Sequence, residues 1–154
     1  MKLKEELSDR IEKLIADGYT DFLSGMAEGV DTWAVEIVLV LREKKTALTL
    51  HCILPCREQA DKWCDSARQR YRIILDQADS IVYVNRAYCK NCMLERNRFL
   101  VDHADLLLAV YNGERRGGTA ATVRYARKQG KEILILDPDT SGSHTDSSGQ
   151  SFFN

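Results

Sequence analysis

The chain has 154 residues, 44% of them hydrophobic and 29% charged, with a formal net charge of -1 and a pI near 6.3. That balance fits a soluble globular domain with one core, and it gives no bulk electrostatic reason to expect nonspecific nucleic-acid binding. No run of 18 apolar residues is present to span a membrane, and the opening Met1-Lys2-Leu3-Lys4-Glu5-Glu6 lacks the apolar centre of an export signal. The five cysteines are odd in number, so reduced thiols and a cytoplasmic location are expected, with no membrane partner.

Leu3, Leu7, Ile11, Leu14 and Ile15 recur at helical spacing and predict an amphipathic helix over residues 2–17, ended by Gly18. Thr20 to Leu23 is β-prone and runs into Ser24-Gly25. Val30, Trp33, Ala34, Ile37, Val38 and Leu41 predict a second helix. Leu48 to Leu54 reads as a strand stopped by Pro55. Ala60, Trp63, Ala67, Tyr71, Ile74 and Ala78 predict a third helix, and Ser80 to Val84 a strand. Met93 to His103 reads as a fourth helix. Leu106 to Tyr111 is a nearly all-apolar strand, as in a sheet covered on both faces. Thr119 to Gln129 predicts a fifth helix closed by Gly130, and Glu132 to Leu136 a last strand.

Strict alternation of helix and strand with short links predicts an α/β domain with a mainly parallel sheet over residues 1–137. Residues 138–154 are rich in Ser, Asp, Thr and Gly and are expected to form a disordered polar tail, with Phe152 and Phe153 at its frayed end. Exposed sheet edges also suggest a homodimer.

Ligands of parallel α/β sheets bind beyond the carboxyl ends of the strands. One turn there is Ser24-Gly25-Met26-Ala27-Glu28-Gly29-Val30-Asp31. Its two glycines let backbone N–H groups approach an anion, and the helix that follows supplies partial positive charge. Ser24 and Thr32 add hydroxyls. Spacing alone fits equally a tight turn with glycines for packing. It has neither the lysine of a Walker loop nor a G-x-G-x-x-G spacing.

A second turn is Asn112-Gly113-Glu114-Arg115-Arg116-Gly117-Gly118-Thr119. Gly117-Gly118 suits an anion nest, Thr119 suits an N-cap, and Arg115 and Arg116 suit phosphate. Arg96 and Asn97 start a helix facing the same expected side. Two such turns in one small domain favour a shared phosphate site. Cys89 and Cys92 form a lone C-x-x-C, short of the four ligands a structural zinc needs, so no metal is expected. His51, His103 and His144 are scattered, and no catalytic residue is assigned.

The stretch Gly25-Met26-Ala27-Glu28-Gly29-Val30-Asp31-Thr32-Trp33-Ala34 resembles the GMA-GVD-WAAE turn of the YpsA-like family of bacterial proteins. Further matches follow in order: Leu54-Pro55, Gln59, Trp63, Tyr71, Tyr88, Arg96-Asn97, Val101-Asp102, Gly117-Gly118-Thr119 and Tyr125-Ala126. The resemblance spans about residues 20 to 137. That family belongs to the SLOG superfamily, with DprA and the Lonely Guy enzymes. The resemblance implies a Rossmann-like three-layer fold and a nucleotide or ADP-ribose-like ligand, with no other cofactor required. It implies ligand or phosphate contacts from Ser24, Gly25, Gly29, Asp31, Arg96, Asn97, Gly117, Gly118 and Thr119. The family begins with a strand and a Gly-x-Arg turn, and this sequence starts after them, so a sheet without that first strand is expected.

Lonely Guy enzymes pair the helix arginine with the glutamate of a P-G-G-x-G-T-x-x-E motif to cleave an N-glycosidic bond. Here Arg96 matches the arginine, but Arg124 stands at the glutamate's place. A cation is no general base and does not stabilise an oxocarbenium ion. The resemblance therefore favours binding or sensing over phosphoribohydrolysis. The turn at 24–31 also resembles that of DprA, which raises single-stranded DNA as an alternative ligand. The pI and the lack of a basic, aromatic-rich surface oppose it.

Overall fold

The computed structural model describes residues 2–45, 47–139 and, for the backbone alone, 142–144. The elements in chain order are α1 (Lys2–Ala16), β1 (Asp21–Ser24), α2 (Val30–Lys44), β2 (Thr49–Leu54), α3 (Asp65–Gln77), β3 (Ser80–Tyr83), α4 (Cys92–His103), β4 (Leu106–Val110), α5 (Gly118–Lys128), β5 (Glu132–Asp137) and β6 (Gly142–His144). This is the α/β alternation that the periodicity predicts, and it is consistent with the Rossmann-like fold that the resemblance implies. Among the described residues no helix is long and apolar enough to cross a membrane.

The chain divides into two compact units. One is Ser8–Arg96, and the other comprises the chain up to Leu7 and from Asn97 onward. In the first, β1, β2 and β3 form a parallel sheet in that order. Leu50, Cys52 and Leu54 alternate along β2 and point to one face, where they are buried with Met26, Val35, Leu39, Tyr71 and Ile74. Alternation works here because successive strand residues face opposite sides.

Asp79 locks the start of β3 to β2. Its N–H donates to the Leu50 carbonyl, and its Oδ2 accepts the Leu50 N–H, both at 2.8 Å. Arg42 from α2 adds a 2.7 Å ion pair to the same oxygen. The Leu50 N–H, aided by Arg42, holds the Asp79 carboxyl below its ordinary range.

In the second unit β4 and β5 are parallel, and β6 is antiparallel to β5. Val101, Leu107, Ala109, Val123, Ala126 and Ile133 form its core. The short β6 falls within the stretch expected to be a polar tail. Residues 140, 141 and 145–154, including Phe152 and Phe153, lie outside the described residues.

One predicted boundary moves. Ala60 and Trp63 precede α3, in consecutive turns over residues 57–63, and the helix begins at Asp65. Asp61 donates its N–H to the Glu58 carbonyl and Trp63 to that of Ala60, each at 3.1 Å. A three-residue hydrogen-bonded repeat brings every third side chain to one side, which imitates helical spacing.

A candidate anion site at the first glycine turn

β1 ends at Ser24, and the chain turns sharply into α2. Ser24 is buried, and its Oγ accepts the Met26 N–H at 3.1 Å. Met26 has a φ of 57°, in the left-handed region, and is the one non-glycine residue with positive φ among the described residues. Its side chain is fully buried in the core, which offsets the strain of that conformation. Asp31, in the first turn of α2, reaches back so that its Oδ2 accepts the Ala27 N–H at 3.0 Å. Thr32 Oγ1 donates to the Gly29 carbonyl at 2.7 Å. The hydroxyl proton of Thr32 is thus engaged within the turn.

Beneath the turn lies a buried polar cluster. Gln59 Nε2 lies 3.2 Å from the Gly25 carbonyl and 3.3 Å from the Tyr71 hydroxyl. Arg96 is 4% exposed. Its Nη1 donates to the Gly25 carbonyl and, at 3.1 Å, to Gln59 Oε1. Its guanidinium also fills the space a Gly25 side chain would need: a Cβ there would stand 2.6–2.8 Å from Nη1, Cζ and Nε. Trp63 packs edge-on against Tyr71, with ring centroids 5.1 Å apart. Burial raises the Tyr71 hydroxyl pKa to about 12.

Burial also raises the Asp31 carboxyl, opposed by the Ala27 N–H and the Arg96 charge. The same burial lowers Arg96, opposed by Asp31. Gly29 is the N-cap of α2, and no side chain caps that helix. The first-turn N–H groups of α2 are therefore left without a side-chain acceptor at the carboxyl edge of a parallel sheet.

The raised Asp31 predicts a pH dependence. Stability owed to the neutral carboxyl is complete below the unfolded value, near 3.8, and is lost as pH rises through the higher folded value. Asp31→Asn keeps an acceptor for Ala27 without that loss. Urea unfolding across the pH range should show the variant gaining on wild type as pH rises from acid to neutral. A pH-independent difference would refute the buried-carboxyl account.

The second unit holds the other glycine turn. Gly117, with φ 104° and ψ 172°, is the N-cap of α5, again with no side-chain cap. Thr119, expected as N-cap, is instead the second residue of the helix and is exposed. Glycine takes the cap because only it reaches that backbone conformation. A Gly118 Cβ would stand 4.0 Å from Asn97 Nδ2. Arg115 and Arg116 are exposed. Arg124 donates to the Arg115 carbonyl at 2.9 Å, so this cation braces the loop. The Tyr125 hydroxyl donates to Asp102 Oδ1 at 2.7 Å.

Sequence reasoning singled out Ser24, Gly25, Gly29, Asp31 and Arg96, and the first unit brings these together. Asn97, Gly117, Gly118 and Thr119 belong to the second unit. Gln59 appeared only as a match to a family pattern, and Tyr71 as such a match and as part of a helical face, and their place beneath the turn is visible only in the fold. Cys56 and Cys92 are fully buried neighbours. Among the described residues no group of three or more His, Cys, Asp or Glu side chains is placed to hold a metal.

The family model YpsA, described as the YspA SLOG family, matches residues 1–140. A UPF0398 protein of Bacillus pumilus (strain SAFR-032) is 33% identical over 126 residues, covering 80% of this chain and 68% of the relative. A UPF0398 protein of Bacillus cereus (strain G9842) is 30% identical over 131 residues, covering 84% and 71%. One from Halalkalibacterium halodurans is 29% identical over 142 residues, covering 88% and 75%.

Proposed function

The chain belongs to the YpsA family of SLOG proteins, and from that premise we propose that it binds a nucleotide or nucleotide-derived ligand, ADP-ribose-like compounds included, through phosphate contacts at its glycine-rich strand-to-helix turns. The observation that carries this reading is the N-terminus of α2. Gly29 opens a helix of 15 residues with no side-chain cap. The turn before it is held from below by Gln59 and Arg96. A braced turn presenting N–H groups that no cap side chain engages at a helix start is suited to a phosphate. In this reading Ser24, Gly25 and Gly29 line the anion's approach, while Asp31 and Arg96 hold the turn in shape. Asn97, Gly117, Gly118 and Thr119 offer the second, similar turn.

The test is thermal unfolding in the presence of AMP, ADP-ribose and inorganic pyrophosphate. A ligand at a hundred times its Kd stabilises by about 2.7 kcal/mol, which is a rise of about 5–10 °C for a chain of this size. Val30→Glu puts an acid in the first turn of α2, where it suits the helix dipole but repels an anion. That variant should melt close to wild type alone and lose the ligand-induced rise. Folded wild-type protein that shows no rise with any of the three probes at millimolar levels would overturn the proposal.

A further inference from the structure

Away from the glycine turn, at the amino ends of β1, β2 and β3, lies a row of polar side chains that the proposed ligand site does not use. The register pairs Asp21 with Thr49, and His51 with Ser80. Thr49 and His51 alternate with Leu50 and Cys52, which are fully buried. The four polar residues therefore share the sheet face opposite that core.

They are joined in one chain of hydrogen bonds. Ser80 Oγ is 2.6 Å from His51 Nδ1. His51 Nε2 is 3.0 Å from Thr49 Oγ1. Thr49 Oγ1 donates to Asp21 Oδ1. Asp21 Oδ1 also lies 3.9 Å from His51 Nε2.

The chemistry of these groups fixes the direction of the whole chain. A carboxylate oxygen only accepts, so the Thr49 proton points to Asp21. The Thr49 oxygen is then free to accept, and in the neutral imidazole it accepts from Nε2–H. That leaves Nδ1 as the bare nitrogen, facing the Ser80 hydroxyl. Every donor thus points toward the acid. The serine is also held on a fixed backbone, because its neighbour Asp79 is tied to Leu50 and Arg42. The row is open to solvent: the Asp21 side chain is 67% exposed and that of His51 30%, and Ser80 is half-buried.

We infer that Ser80 is an activated nucleophile at the end of a Ser80–His51–Thr49–Asp21 relay, and that it takes acyl groups from small activated esters. Ser80 Oγ attacks the ester carbonyl carbon while its proton passes to His51 Nδ1. The imidazolium is held by Thr49 and the nearby Asp21 carboxylate. The bond from the carbonyl carbon to the leaving oxygen breaks, and that oxygen takes the proton from His51 and departs as an alcohol. The product is Oγ-acylated Ser80, with no change of oxidation state.

The experiment incubates the full chain with p-nitrophenyl acetate and follows acetylation by intact mass and peptide mapping. Acetyl should map to the Ser80 peptide, form about a hundredfold more slowly in His51→Ala, and be absent there in Ser80→Ala. Thr49→Val should also slow it while leaving the unfolding transition measurable. If His51→Ala fails to fold, Thr49→Val and a concentrated-urea control carry the comparison, because an activated serine loses its advantage on unfolding. Acetylation confined to lysines overturns the inference. So does Ser80 labelling at equal rates in wild type, Thr49→Val and urea, which would leave the row a purely structural network.

Discussion

Truncating Arg96 to alanine is expected to destabilise the chain by about 3 kcal/mol or more, the range for removing one member of a buried polar cluster. The guanidinium donates to the Gly25 carbonyl and Gln59 Oε1, and it is nearly sealed from solvent. Its loss takes this donor from Gln59 Oε1 and leaves the Gly25 carbonyl with Gln59 Nε2, and it removes the charge that offsets the burial-driven rise of the Asp31 carboxyl. In a chain of this size, each kcal/mol lowers Tm by about 2–4 °C. Gly25→Ala is expected to destabilise by about 1–3 kcal/mol for a different reason, since its methyl group enters the space of the guanidinium.

The two changes should therefore couple. With Arg96 already truncated, the added methyl has room, and the double variant should be less destabilised than the sum by about 1 kcal/mol or more. Strict additivity in urea unfolding would show that Gly25 and Arg96 do not meet as described. Lysine at position 96 should rescue little, because its ammonium sits on a shorter stem and lacks the flat Nε–Cζ–Nη1 group that packs against Gly25.

How much of this was legible in the sequence depends on the range of the interaction. Helical periodicity located α1, α2, α4 and α5 to within one to three residues, because apolar spacing along a helix is a local property. Ala60 and Trp63 misled because consecutive tight turns repeat every three residues and face the same core as α3. Thr119 misled for a similar reason. Its hydroxyl satisfies the usual preference at an N-cap, but the backbone one step earlier requires glycine, and a glycine cap is only a few tenths of a kcal/mol less favourable.

The site divides along the same line. Gly25, Gly29 and Asp31 lie within one turn and could be read together. Gln59, Tyr71 and Arg96 come from the β2–α3 connection, α3 and α4, and only the pairing of strands draws them beneath Gly25. The Ser80–His51–Thr49–Asp21 row was invisible for a stricter reason. Cross-strand register decides which side chains share a row, and a slip of one residue would send His51 to the opposite face. In one sequence, His51 is simply a polar residue within a strand.

Alanine at Gly29 and at Gly117 should each destabilise by about 1–3 kcal/mol, through the backbone alone. Gly29 has φ 97° and ψ -117°, and Gly117 has φ 104° and ψ 172°. Both conformations are closed to residues with a Cβ. A Cβ at either position would meet nothing within 4 Å, so crowding contributes no part of the effect. This separates them from Gly25, where the backbone is ordinary and the contact with Arg96 is the whole cause. Asparagine makes the distinction sharp. It tolerates the left-handed region near φ 57°, ψ 47°, but neither ψ here is close to that value. Asparagine at 29 or 117 should then fare no better than alanine, despite its strength as an N-cap residue. If Gly29→Asn or Gly117→Asn recovered wild-type stability in thermal unfolding, capping rather than conformation would be the reason for glycine at that turn. If both variants stay destabilised and Arg96→Ala leaves their effect unchanged, the glycines of the first turn serve two separate ends: Gly25 makes room for the guanidinium, and Gly29 sets the angle at which α2 presents its N–H groups.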